Sequence, residues 1–127
     1  MAIFPVTTGD VLTAATYNSL PTFTVTTNTA DYTAVLADQY QVLEIMNKAT
    51  AIAFKLPTNA SVAFPVGTAI TVLNIGAGTC TISAVTPGTT TVTSAGAVSA
   101  SPTLGQHKSA VCIKLSTDSW VVVGAIA

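Results

Sequence analysis

The chain has 127 residues, half of them hydrophobic, and only 7% are Asp, Glu, Lys or Arg, against about 25% in an average globular protein. Four basic residues, all of them lysine, and five acids leave a net charge of −1, without the clustered basic patch that nucleic-acid phosphates require. The length suits one domain that buries its own core without disulfides or metals, and no apolar run approaches the roughly 18 residues of a membrane-spanning helix.

Residues 1–20 read differently from the rest and are expected to form an N-terminal arm. Phe4-Pro5-Val6 is extended, Thr13 is a plausible N-cap, and Ala14 to Leu20 suit a short helical turn that Pro21 ends. The first residues have neither the basic nor the long apolar region of a secretory signal. Synthesis and use in a cytoplasm are therefore expected, with Cys80 and Cys112 as buried thiols.

Residues 21–127 are expected to form a β domain. Thr, Val and Ile alternate with a period of two between turn residues, the signature of an all-β chain folded as a single β-sandwich or jelly-roll-like barrel. Eight strands are predicted: Phe23 to Thr27, Gln41 to Met46, Ala51 to Leu56, Ala69 to Ile75, Thr79 to Ala84, Thr89 to Thr93, Ser109 to Leu115 and Trp120 to Ile126. In the third, Ile52, Phe54 and Leu56 point inward and Lys55 outward.

Two hairpins are expected, one through Gly76-Ala77-Gly78 and one through Ser116 to Ser119. In the second, Val111, Ile113 and Leu115 share one face and Cys112 and Lys114 the other. Thr86 to Pro102 is low in complexity and reads as a flexible loop or a site of close approach by another chain. From Pro57 to Gln106 no side chain is charged, a composition better suited to an interface than to a solvated monomer.

Candidate chemistry is sparse, and no cofactor is expected. His107 is the one histidine, and no nucleophile motif accompanies it. His107, Cys80 and Cys112 lack the short paired spacing of a zinc site. The acids Asp10, Asp31, Asp38, Glu44 and Asp118 offer no same-face pair, and Asp31, Asp38 and Asp118 read as solvated turn residues. Gly76-Ala77-Gly78 leads into a strand and has no helix start with which to cradle phosphate. Asn59-Ala60-Ser61 matches a glycosylation sequon by chance. Tyr32 and Tyr40 form the least implausible exposed aromatic pair, and Trp120 begins an apolar strand suited to a core or subunit interface.

Two segments carry a resemblance. Gly9-Asp10-Val11-Leu12-Thr13-Ala14-Ala15-Thr16-Tyr17-Asn18 resembles an N-terminal segment of tailed-phage virion proteins. The series Ile52-Ala53-Phe54-Lys55-Leu56-Pro57, Val66-Gly67-Thr68, Ile70-Thr71-Val72, Gly76-Ala77-Gly78-Thr79 and Trp120-Val121-Val122-Val123-Gly124 resembles a β module of phage tail-fibre and head-surface proteins. No heptad, collagen-like run or tandem β repeat is visible to build a fibre shaft.

The resemblance therefore implies a non-enzymatic capsid decoration or cement protein, a homotrimer on the virion surface. Its arm, through Ile3, Phe4, Val6 and Tyr17, would contact the major capsid protein, with Trp120 and Val122 at the subunit interface. The alternative it implies is a short tail-fibre or tail-tip adhesin that binds a host-surface glycan. Neither nucleic acid nor membrane is expected as a partner.

Overall fold

A computed structural model describes residues 23–95, 97 and 100–126. The expected arm and its short helical turn lie outside the described residues. Ten strands follow in chain order: β1 (Thr24–Asn28), β2 (Tyr32–Thr33), β3 (Val42–Met46), β4 (Ile52–Leu56), β5 (Ala69–Asn74), β6 (Cys80–Ala84), β7 (Thr91–Thr93), β8 (Thr103–Leu104), β9 (Lys108–Ser116) and β10 (Ser119–Gly124). A 3-10 turn at Leu36–Gln39 separates β2 from β3. All eight predicted strands are present within a residue or two, and the two additions, β2 and β8, are two residues long.

The protein is all-β, with two mixed sheets packed face to face. The larger sheet has the order β1-β3-β5-β9-β10-β7 and the smaller β2-β4-β6-β8. Up to β6 the chain alternates between sheets, and successive visits pair in parallel: β1 with β3, β3 with β5, β2 with β4, and β4 with β6. Three two-strand coils are thereby stacked as in a short solenoid. Leu43 lies beside Thr71 and Ile52 beside Cys80, 28 positions on in each case. From the first coil to the second the step is shorter, Thr24 lying beside Val42 and Tyr32 beside Phe54, so the coils share a path and an alternation of inward and outward positions rather than a fixed length.

This stacking corrects the first expected hairpin. β5 and β6 belong to different sheets, and Gly76-Ala77-Gly78 is the corner between them. The corner rests on the one before it: the Ile75 N–H donates to the Met46 carbonyl at 2.9 Å and that of Gly78 to the Lys48 carbonyl at 2.9 Å. A Cβ at Gly76 would collide with the Lys48 backbone, and one at Gly78 with the Thr50 carbonyl. Close approach, rather than a positive φ, demands these glycines. Asn74 secures the corner from inside, its Nδ2 donating to the Gly78 and Leu104 carbonyls while its Oδ1 accepts from the Gly76 N–H.

The stack ends in antiparallel strands, with β9 against β5 and β8 against β6. The second expected hairpin is present as β9 and β10, and its turn places Asp118 at φ 58°. Between the sheets lies one core that includes Met46, Phe54, Leu56, Ile70, Val72, Ile82, Leu104, Cys112 and Trp120. Phe64 enters it from the loop after β4, its ring edge-on to Trp120 with centroids 5.5 Å apart.

Candidate interaction face

Strand parity determines which side chains each sheet presents outward. In β3, β4 and β5 the buried positions alternate with half-buried ones. In β9 the inward set is Ala110, Cys112 and Lys114, so Val111, Ile113 and Leu115 point away from the core. Trp120 and Val122, expected at a subunit interface, are each 1% exposed inside the core. Their side chains are committed to packing within the chain, and Val121 and Val123 are the outward residues of β10. The other expected contact residues, Ile3, Phe4, Val6 and Tyr17, lie outside the described residues.

The pairing registers align the outward residues of the larger sheet into rows. One row crosses five strands as Val25, Leu43, Thr71, Val111 and Val123, and a second includes Ile45 and Leu73. No outward position of this sheet is an acid or a base. At about 4.8 Å between strands and about 3.3 Å per residue, the face is roughly 24 Å by 17 Å. The smaller sheet differs in composition, since its outward positions are Thr33, Ala53, Lys55, Thr81, Ser83 and Thr103. Thr27, Thr71, Thr91, Thr93 and Ser109 also point outward from the larger sheet, but between them Val, Leu and Ile predominate, and such an uncharged aliphatic surface gains by being covered.

The sequence did not reveal a buried acidic pair. Asp38, on the 3-10 turn, and Glu44, on the inward face of β3, are 2% and 1% exposed, and Asp38 lies close enough to act on the ionisation of Glu44. The Tyr32 hydroxyl and the Val35 N–H each donate to Asp38 Oδ2 at 2.9 Å, and Asn28 Nδ2 donates to Glu44 Oε2 at 2.7 Å. Burial, followed by the contact with Asp38, raises the Glu44 carboxyl to about 7, so at lower pH it carries the proton that two adjoining carboxyls need. Asp38 is therefore a buried residue and not a solvated turn acid. Tyr32 is likewise half-buried, its ring packed on Phe54 and its hydroxyl raised well above the usual range by burial and by Asp38, so it does not join exposed Tyr40 as a glycan platform.

Lys114 is buried as well, 2% exposed, with its Nζ donating to Asn59 Oδ1 at 2.6 Å and to the Phe64 carbonyl at 2.7 Å. Cys80 and Cys112 are free, buried thiols. Burial pushes Cys80 up to about 11 and Cys112 higher still, which disfavours the reactive thiolate. His107 is exposed on a turn at φ 62°. Among the described residues no three His, Cys, Asp or Glu side chains converge as a metal site. Comparison of the chain with protein-family models, with curated proteins and with solved structures returns no match.

Proposed function

We propose that this chain is a virion structural protein of the tailed-phage type, a capsid decoration or cement protein that assembles as a homotrimer on a shell of major capsid protein. The observation that carries the reading is the uncharged, largely aliphatic outer face of the six-stranded sheet, in a chain with few charges anywhere. A solvated monomer gains nothing from such a face, whereas an assembly buries it. The placement on a virion, the arm contacts and the trimer rest on the resemblance of the two segments described above. Three chains docked together would multiply modest apolar contacts into firm attachment.

The test is to add purified protein to shells that lack it. Saturable binding with a rise in the temperature at which shells rupture supports the reading, and absence of binding removes it. A second reading, a short fibre or tail-tip module, draws support from the parallel coil stack, since stacked coils extend by adding further coils. It predicts binding to host-cell surfaces and bare heads in micrographs of the particle.

A further inference from the structure

We propose that Lys114 and Asn59 become covalently joined through their side chains, by an amide between Lys114 Nζ and Asn59 Cγ. Lys114 is the one lysine of the chain's four that is buried, and it stands on the inward face of β9 beside Trp120 of β10. Its Nζ meets Asn59 Oδ1 at 2.6 Å and the Phe64 carbonyl at 2.7 Å, and both acceptors are neutral. A buried ammonium with no carboxylate in direct contact is a costly arrangement, since two hydrogen bonds to neutral oxygens only partly offset its lost hydration. An amide in the same place carries no charge.

The surroundings hold the two reacting groups together. Phe64, whose carbonyl accepts from Lys114 Nζ, packs its ring edge-on against Trp120, the register neighbour of Lys114. Asn59 is held through its backbone, whose N–H donates to Asp118 Oδ1 at 2.6 Å, while Asp118 also accepts from the Thr90 hydroxyl at 3.2 Å. Fixing an amine against a carboxamide in this way replaces a slow bimolecular encounter with an intramolecular one. In the step, the Nζ–Cγ bond forms, the Cγ–Nδ2 bond breaks, and Nδ2 departs as ammonia. Starting from the ammonium form, the surplus proton leaves with it, so ammonium is the product and no oxidant, reductant or other reagent is consumed.

Mass spectrometry of the full chain tests this. The expected intact mass is one ammonia below the sequence value. After denaturation, trypsin should leave residues 56–108 joined to residues 109–127, with cleavage at Lys114 lost. Asn59→Ala alters a half-buried turn residue outside the core and should restore the sequence mass together with cleavage at Lys114. Lys114→Met, which keeps a long side chain in the core, should do the same for the mass. An intact mass at the sequence value with free cleavage at Lys114 overturns the proposal and leaves the pair as a hydrogen bond. Loss of ammonia without joined peptides also overturns it, since a cyclic imide at an asparagine gives that result.

Discussion

Glu44 shows how one side chain can tie the first coil to pH. Its carboxyl is raised from 4.5 to about 7 by burial and by the neighbouring Asp38, so the folded protein holds a proton that the unfolded chain releases at lower pH. Glu44 therefore favours the fold most strongly below about pH 4.5, and its contribution declines as pH rises to about 7 and is level beyond. Glu44→Gln keeps an acceptor for Asn28 and supplies a permanent donor to Asp38. Relative to this variant, the native protein should lose on the order of 2 kcal/mol of unfolding free energy across that window. Urea titrations at several pH values measure the difference, and parallel profiles for the two proteins would show that Glu44 does not titrate there. The thiols give a simpler expectation at the same scale: neither Cys80 nor Cys112, both buried with raised pKa values, should react with a thiol reagent until the protein unfolds.

Strands were legible in the sequence, and their connections were not. Ile52, Phe54 and Leu56 alternate with Ala53 and Lys55, and that period-two pattern located β4 and its inward face together. The same pattern is silent on whether the next strand returns beside it or crosses to the other sheet. Gly76-Ala77-Gly78 therefore read as a hairpin turn, although it is a corner resting on Lys48 and Thr50. The coil stacking was hidden because coils differ in length and their paired strands match by parity alone, Glu44 lying beside Val72 and Met46 beside Asn74. Asp38 and Glu44 went unpaired for a related reason, since a turn and a strand meet there through tertiary packing. In β9 the pattern separated Lys114 from Val111 and Ile113, and Cys112 on the same face as Lys114 was the available hint that this lysine points inward. The corner geometry makes a direct prediction. Gly78→Ala drives a methyl group into the Thr50 carbonyl and should cost about 1–3 kcal/mol. Gly88→Ala, with open space around it, should change stability by no more than about 0.5 kcal/mol. Equal effects in thermal melts of the two variants would remove the stacked corner as the reason for the glycine.

At the scale of the whole molecule the two sheets face different surroundings. The smaller presents Thr, Ser and Lys55 outward, and the larger presents a row from Val25 to Val123 that no charge interrupts. Both end residues of that row are exposed and outside the core, so replacing them leaves intramolecular packing untouched. Val25→Lys and Val123→Lys together should therefore shift unfolding stability of the isolated chain by no more than about 0.5 kcal/mol each. In an assembly, the same lysines would be stripped of water against an apolar neighbour, at a cost several times larger. The native mass should thus fall from that of an oligomer to that of a single chain while the melting profile of the chain itself holds, and Lys55→Ala on the other sheet should leave the oligomer intact. Native mass measurements across a concentration series separate the outcomes. If the double variant keeps the oligomer, subunits meet elsewhere. If the unaltered protein is a monomer at every concentration, the apolar sheet must be covered by something other than its own copies, and the trimeric decoration reading loses its structural support.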